Sequence, residues 1–506
     1  MSDDRTSMIS AERPGDLPLL LRPAGLALVV LALTLLKLWS GTNAHFVEDE
    51  AYYRLWGLNP ALGYYDHPPM IAWWIHAGQW LLGDTVLAVR LFVILSSVVG
   101  SLALWRSAFL MAGPRAAGWS VLFLNASLLV GIGGILATPD APSVLFWGLA
   151  FWALTELSVS RNAVWWLAVG VFAGLGLASK YSVLFLGAGI VLWLLWVPEN
   201  RRWLACWQLW AGGALALLLF APVLVWNHAH EWVSFYKQFG RAGRGTLTAK
   251  YVGEFLGGFI GLLNPLIAVA AGAGSWALLR KAGRRDPLAS LLLLTSLPFL
   301  VYLLYHSLHA RVQANWPAPL FPALALIAAV WVAQGQRGRA RFGAVAVALG
   351  LAVTGLVQVH AVHPLTGAFA RKDPTFQLRG WPEVGAEIKA QAEKAGAAYV
   401  LTTSYALTGQ LDYLLHDRLP VAQMNERIRY VMGPAPDPSV LAGTGLYVTT
   451  NRRDNAGLLR ERFAEVELVD DFPRQVKGVE LERMRVYRLA DPLGPVLDPV
   501  EMTQPE

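Results

Sequence analysis

Long apolar runs separated by short polar turns dominate the first 360 positions of the chain. Read with a window of about 19 residues, the length that crosses a bilayer as a helix, these runs predict about eleven transmembrane helices. The chain is 55% hydrophobic and 15% charged, whereas soluble domains are about 25% charged. The pattern therefore predicts an all-α polytopic membrane domain with spans near residues 19–40, 85–112, 116–135, 141–157, 163–179, 181–197, 204–226, 252–279, 287–306, 313–334 and 341–360.

The pattern changes after His363-Pro364, where charged residues become frequent and the apolar runs become short. Residues 399–401, 446–448 and 485–487 read as strands, and Pro382 to Lys394 reads as an amphipathic helix. We therefore predict a membrane domain over residues 1–364, followed by a small soluble α/β domain over residues 365–506.

The segment between the first two predicted spans, residues 41–84, is too long for a simple connector. Its stretches 51–62 and 69–82 are amphipathic and are predicted to be helices that lie in the membrane interface. The acidic run Glu48-Asp49-Glu50 comes just after the first span. Acid at such a place is costly and usually functional, so Asp49 and Glu50 are candidates for general-base catalysis, with helix capping as the alternative.

Basic residues predict the orientation of the chain in the membrane. If the helices alternate, the loops that carry Arg201-Arg202, Arg280-Lys281, Arg284-Arg285 and the run from Arg337 to Arg341 all lie on one side, which the positive-inside rule makes cytoplasmic. The N-terminus then lies in the cytoplasm, and the acidic loop and the C-terminal domain lie outside it. The net charge of +6 is scattered over short loops, so the pattern argues against nucleic acid as a partner.

Further candidate residues lie in other predicted loops. Asp140 stands in Thr138-Pro139-Asp140-Ala141-Pro142 on the predicted outer face, where it could cap the following helix or bind a substrate hydroxyl, an amine or a metal ion. Lys180, His67 and Arg311 offer cations suited to phosphate. The sequence holds no Walker A motif, no His-Glu-x-x-His and no nucleophile elbow, which argues against the enzyme classes that depend on them.

Five motifs taken in order resemble those of one enzyme family. They are Asp49-Glu50-Ala51-Tyr52-Tyr53, Gly63-Tyr64-Tyr65-Asp66-His67-Pro68-Pro69, Thr138-Pro139-Asp140-Ala141-Pro142, Ser179-Lys180-Tyr181 and Asn315-Trp316-Pro317-Ala318-Pro319. With these motifs the chain resembles the GT-C-fold glycosyltransferases of the dolichyl-phosphate-mannose protein mannosyltransferase superfamily. Within it, the chain is most similar to the bacterial branch near the aminoarabinose and galacturonosyl lipid A transferases.

The resemblance implies an inverting transfer of a sugar from an undecaprenyl-type phosphate to an acceptor outside the cytoplasm of a bacterium, lipid A or the lipopolysaccharide core. Asp49 takes the position of the family's catalytic carboxylate, Glu50 lies beside it, and Asp140 matches the second acid. Tyr52 and His67 replace the Arg and Lys that are typical of the aminoarabinose branch. The implied contacts to donor phosphate or substrate therefore come from Tyr52, Tyr53, Arg54, Asp66, His67, Lys180, Tyr181 and Arg311.

Two other functions fit the sequence. A protein O-mannosyltransferase of the same superfamily would have a polypeptide acceptor, and a lipid-sugar flippase would also place acids along a pathway. The expected partners are the lipid bilayer, a polyprenyl-phosphate-linked sugar and a glycolipid. The sequence demands no cofactor, although carboxylates near a phosphate could hold a divalent metal.

Overall fold

The computed structural model describes residues 17–240, 245–364, 372–454 and 456–502. The chain divides into two compact units. The first, called the helical unit, comprises Met1–Trp39, His67–Ile71 and Leu91–Gln358. The second, called the sheet unit, comprises Ser40–Asp66, Ala72–Arg90 and Val359–Glu506. The acidic loop thus groups with the C-terminal region, a division that the sequence pattern does not indicate, and the predicted boundary at residue 364 stays a prediction.

The described residues up to 364 contain sixteen α-helices. In chain order they are α1 (Pro23–Asn43), α2 (Glu48–Leu58), α3 (Met70–Leu82), α4 (Val86–Ala126), α5 (Leu128–Gly133), α6 (Asp140–Ser160), α7 (Trp165–Leu177), α8 (Leu184–Trp196), α9 (Trp207–Ala229), α10 (Val233–Phe239), α11 (Lys250–Leu263), α12 (Pro265–Gly283), α13 (Pro287–Leu294), α14 (Leu297–Ser307), α15 (Phe321–Ala333) and α16 (Arg337–Val362).

Six apolar helical segments in the described part of the chain are long enough to cross a membrane, and the number rises to eight if each sharply bent pair is one span. The chain is therefore a multi-pass membrane protein, as its apolar pattern predicts. The number of eleven spans stays a prediction.

Local backbone chemistry bends two of the long apolar segments. The run 252–279 is not one helix, because Asn264 has a φ of 78° and Pro265 begins a new helix at 101° to the previous one. The Asn264 side chain caps α12 by accepting a hydrogen bond from the Leu266 N–H at 3.1 Å. The predicted break between the spans 85–112 and 116–135 coincides with a kink in α4, where Gly113 has a non-helical φ of 81° and Pro114 follows it.

The sheet unit contains five strands, β1 (Tyr399–Thr402), β2 (Val421–Gln423), β3 (Gly445–Thr450), β4 (Phe463–Val476) and β5 (Val479–Pro492). They form one sheet with the strand order β2-β1-β3-β5-β4. The strands β1, β2 and β3 are parallel, and β5 pairs antiparallel with β3 and β4. This confirms the predicted α/β character of the C-terminal region. The α-helices of this region are α17 (Trp381–Ala395), α18 (Tyr405–Leu415), α19 (Pro438–Leu441) and α20 (Ala456–Arg460).

Both faces of the sheet are covered by apolar packing, which explains why β1 is buried along its full length. On one face α17 and α18 pack through Ile388 and Leu411 against Val400 and Val486. The loop helices α2 and α3 belong to the same unit. This double-sided core carries the loops and the helix ends of the sheet unit.

Candidate functional site

The first turn of α2 carries three acids, Glu48, Asp49 and Glu50. Carboxylates are favoured at a helix N-terminus because the unpaired N–H groups there carry partial positive charge. Glu50 also accepts a hydrogen bond from the Val47 N–H at 3.1 Å. This cap begins α2 at Glu48, three residues before the stretch predicted from amphipathicity.

Glu50 is fully buried and forms an ion pair with Arg90, which is also fully buried. The Arg90 guanidinium donates to Oε1 at 2.8 Å and to Oε2 at 2.6 Å. It also donates to the carbonyl oxygens of Gly41, Ala44 and His45. This geometry gives Glu50 a structural part in fixing the acidic loop, so its predicted catalytic part stays a prediction without geometric support.

Asp49, one residue earlier, is exposed. The Tyr405 hydroxyl, at the start of α18, donates a hydrogen bond to Asp49 Oδ1 at 3.1 Å. Burial raises the pKa of Tyr405, and the Asp49 carboxylate raises the pKa further, so the hydroxyl stays protonated as a donor. Asp49 is thus an accessible carboxylate in a fixed orientation, the arrangement that general-base catalysis requires.

Asp66 and Arg429 form a second ion pair in the sheet unit, at 2.5 Å. The Tyr52 hydroxyl lies 3.0 Å from Asp66 Oδ2, and the Arg429 guanidinium lies over the Tyr405 ring at 4.8 Å. Burial lowers the pKa of Arg429, but Asp66, Tyr52 and Glu426 together more than reverse this, so the net pKa is raised. The predicted residues Asp49, Tyr52 and Asp66 are therefore brought together with Tyr405 and Arg429, and we call these five residues the acidic-loop cluster.

Arg54 and Tyr53 lie elsewhere on α2. The fully buried Arg54 is paired with Asp84 and, at 2.7 Å, with Asp412. Tyr53 is buried against Trp56, with ring centroids 4.6 Å apart. Because the Arg54 guanidinium contacts two carboxylates, the geometry favours a structural role in joining α2 to α18, and phosphate binding by Arg54 and Tyr53 stays a prediction.

In the helical unit, Asp140 is the first residue of α6. Its carboxylate accepts from Lys180 Nζ at 2.5 Å and from Asn315 Nδ2 at 2.6 Å. The alternative in which Asp140 caps the helix is wrong, because Pro139 occupies the cap position and no side-chain cap bond forms. Three of the sequence motifs thus meet at one carboxylate.

Lys180 lines a cavity of about 120 Å³ within the helical unit. The predicted residues His67 and Tyr181 line the same cavity, whose remaining wall is largely aromatic. The Tyr181 hydroxyl is held by Ser234 at 3.0 Å. A lysine in an aromatic cavity suits a ligand that is anionic at one end and apolar at the other.

Arg311 does not line this cavity. Its side chain is 71% exposed and pairs with Glu254 at 3.0 Å. An exposed pair of this kind contributes little to stability. Phosphate binding by Arg311 stays a prediction.

Sequence reasoning missed Tyr405 and Arg429. Neither residue belongs to a recognisable local motif, and they lie 356 and 363 positions from their partners Asp49 and Asp66. Within the described ranges the structure shows no group of three or more His, Cys, Asp or Glu side chains placed to hold a metal ion.

Comparison with known proteins agrees with the motifs. The sequence profile of the family described as dolichyl-phosphate-mannose-protein mannosyltransferase matches residues 66–226. The chain is 27% identical over 403 residues to the lipid A galacturonosyltransferase RgtD of Rhizobium johnstonii, covering 77% of this chain and 82% of that protein. It is 31% identical over 168 residues to the undecaprenyl phosphate-alpha-4-amino-4-deoxy-L-arabinose arabinosyl transferase of Erwinia tasmaniensis, covering 31% of this chain and 28% of that protein.

The fold is shared with a solved structure. The crystal structure of ArnT from Cupriavidus metallidurans in the apo state superposes with a TM-score of 0.67 at 16% identity, covering 92% of this chain and 98% of that one. These similarities confirm the resemblance to GT-C glycosyltransferases near the aminoarabinose and galacturonosyl lipid A transferases.

Proposed function

Because this chain is a membrane glycosyltransferase with the GT-C fold, we propose that it transfers a sugar from a polyprenyl phosphate to a glycolipid hydroxyl outside the cytoplasm. The proposed acceptor is lipid A or the lipopolysaccharide core, since the relative that matches most of the chain is named a lipid A galacturonosyltransferase. A polyprenyl phosphate is the proposed carrier because the second relative is named for an undecaprenyl phosphate sugar.

The observation that carries the proposal is the exposed Asp49 carboxylate. It lies on the first turn of α2 and is oriented by a hydrogen bond from the Tyr405 hydroxyl. In the proposed step Asp49 accepts the proton of the acceptor hydroxyl while the oxygen of that hydroxyl bonds to the anomeric carbon of the sugar. The bond from that carbon to the lipid phosphate breaks on the opposite face, so the configuration inverts. The electron pair leaves with the polyprenyl phosphate.

The donor phosphate is assigned to Lys180 in its aromatic cavity. The Asp140 carboxylate and the Asn315 amide position the Lys180 ammonium group. The ammonium would offset the charge that the phosphate gains as it leaves. ArnT from Cupriavidus metallidurans, which shares the fold, has been solved bound to undecaprenyl phosphate, which supports this assignment of the donor.

We also propose an orientation of the chain in the membrane. The chain crosses the bacterial inner membrane eleven times, with its N-terminus in the cytoplasm and its C-terminal domain in the periplasm. The helices α2 and α3 lie in the outer interface of the membrane, so Asp49 faces the compartment that contains the acceptor.

The test compares the lipid A and core masses of a deletion strain complemented with wild type, Asp49→Asn or Asp417→Asn. Asp417 is a matched control because it is an exposed acid of the same unit, paired with His416. We expect deletion to remove one sugar mass, which wild type and Asp417→Asn restore and Asp49→Asn does not.

Restoration by Asp49→Asn would remove that residue from the mechanism. A sugar lost from proteins, with every glycolipid mass unchanged, would instead support a polypeptide acceptor.

A further inference from the structure

A second cavity, of about 260 Å³, lies wholly within the sheet unit. It is smaller than the roughly 300–1,000 Å³ of pockets that take drug-sized ligands, so it suits a single small ring. None of the predicted site residues lines it. The cavity therefore offers a binding site in addition to the two already described.

The lining combines an apolar wall with groups that can bind hydroxyls. Trp381 and Leu481 provide apolar surface, while Thr403 and Thr450 bring hydroxyl groups and Glu482 brings a carboxylate. A sugar ring has apolar C–H faces and a rim of hydroxyls that both donate and accept. Such a mixed lining matches a sugar better than it matches an apolar ligand, since apolar walls with a few convergent polar groups fix the orientation of a ligand.

Two adjacent arginines also line this cavity. Arg453 donates a hydrogen bond to Ser404 Oγ at 2.6 Å. Arg452 is exposed and makes no hydrogen bond or ion pair within the ranges that the structure describes. Guanidinium groups bind phosphate and carboxylate through paired N–H donors, so these two residues provide for an anionic substituent on the sugar.

Several residues that line the cavity are direct chain neighbours of Asp49 and Tyr405. Glu48, which lines it, is bonded to Asp49 along the chain, and consecutive Cα atoms are about 3.8 Å apart. At the start of the facing helix α18, the N-cap residue Ser404 and the helical residue Ala406 line the cavity and flank Tyr405, whose hydroxyl binds Asp49. A sugar in this cavity would thus hold the adjoining part of the same molecule close to the Asp49 carboxylate.

Burial around this cavity also affects Glu48. Burial raises the pKa of the Glu48 carboxyl, and the neighbouring Arg453 opposes this rise. Burial thus reduces the tendency of Glu48 to carry a negative charge beside an anionic ligand.

We infer that the cavity is an acceptor subsite, which binds one acidic sugar residue, a hexose or hexosamine that bears a phosphate or a carboxylate. The inference rests on the proposed function, which it deepens by naming the part of the acceptor that the sheet unit recognises. Arg452 and Arg453 bind the anionic group, and the acceptor hydroxyl extends toward Asp49.

The test uses the purified full-length protein in detergent. Arg453→Gln and Arg452→Gln are compared with wild type and with Arg418→Gln, a control arginine that pairs at the surface with Glu393. We expect the two cavity variants to raise the KM for the glycolipid acceptor about tenfold or more, the loss expected when a hydrogen bond to a charged group is removed. The kcat and the KM for the donor should stay within about twofold, as for Arg418→Gln.

Binding is measured separately by saturation-transfer NMR with glucosamine 1-phosphate, galacturonate and glucosamine, which bears no acidic group, as probes. We expect the acidic probes, but not glucosamine, to bind wild type, and the cavity variants to lose this signal. The two acidic probes distinguish a phosphate from a carboxylate. If Arg453→Gln does not fold, as shown by its thermal unfolding, Arg452→Gln provides the test, because Arg452 has no partner to lose in the described chain.

The outcomes separate the two proposals. Normal transfer with an unchanged acceptor KM in both variants and no probe binding would overturn the subsite and leave the proposed function standing. Arginine-dependent probe binding without any sugar transfer would overturn the proposed function while keeping an acidic-sugar site.

Discussion

Two neighbouring carboxylates, Asp49 and Glu50, have different environments. Glu50 is fully buried against Arg90, while Asp49 is exposed and accepts from Tyr405. On a helix, successive side chains point about 100° apart, which turns one acid inward and leaves the other accessible. The acidic run by itself does not separate the two acids, because helical phase and the distant Arg90 cannot be read from it.

This contrast predicts opposite effects on stability and activity. Glu50→Gln should lower the free energy of unfolding by about 3 kcal/mol, because it leaves the buried Arg90 charge without its carboxylate. Asp49→Asn should change stability by less than about 0.5 kcal/mol, as is usual at exposed sites, and should abolish transfer. Chemical denaturation in detergent measures the first quantity, and a transfer assay measures the second.

A double variant controls for the loss of charge. In Glu50→Leu with Arg90→Met both charges are gone, and stability should recover only in part. The unpaired buried charge is removed, but the Gly41, Ala44 and His45 carbonyl oxygens lose the Arg90 donor. A Glu50→Gln protein that unfolds like wild type and transfers no sugar would contradict the structural role and favour catalysis by Glu50.

Sequence motifs predict only those site residues that belong to a short local pattern. Asp49, Asp140 and Lys180 were found from short motifs, and the structure joins the last two at 2.5 Å. Tyr405 and Arg429 carry no local signal, since their partners lie more than 350 positions away. Their contribution depends on how the sheet unit folds, which residue patterns alone do not specify.

At the scale of elements, α18 packs directly on the N-terminal half of α2. Gly409 makes this contact possible, because a Cβ at this position would lie 2.6 Å from the Ala51 carbonyl carbon and from the Tyr52 nitrogen. The same two helices carry Tyr405 and Asp49. Their close approach therefore fixes the orientation of the candidate base.

Gly409→Ala should push the two helices apart. We expect the free energy of unfolding to fall by about 1–3 kcal/mol, the usual effect of overpacking, and transfer to fall with the loss of the bond from Tyr405 to Asp49. The control is Gly457→Ala in α20, where a Cβ would have no atom within 4 Å. That variant should be neutral or slightly stabilised, since alanine favours helices. Thermal unfolding and initial transfer rates measure both effects, and a fully active Gly409→Ala protein would contradict the packing argument.

Apolar periodicity predicted the helices better than it predicted their ends. The run 252–279 reads as continuous, since most of its residues are apolar. The structure bends there because Asn264 takes a φ of 78° and donates to the Ala346 carbonyl at 2.9 Å. Such a turn depends on a hydrogen bond from Asn264 to the backbone of another helix, so hydropathy alone cannot locate it.

At the scale of the whole molecule, the charge pattern predicts which side of the membrane each loop faces. Gly283 lies among the basic residues at the end of α12, and Gly457 lies in the C-terminal region. Both positions are exposed and have open space for a side chain. The positive-inside rule therefore predicts Gly283 in the cytoplasm and Gly457 outside it.

Single cysteines at these positions can test the proposed orientation, because Cys206 is the sole cysteine of the chain. In a Cys206→Ser background, a membrane-impermeant maleimide should label Gly457→Cys in intact spheroplasts. It should label Gly283→Cys only after the membrane is permeabilised, which also serves as the control that both thiols can react. The reverse pattern would place Asp49 and its proposed acceptor site in the cytoplasm and would contradict transfer to an envelope glycolipid.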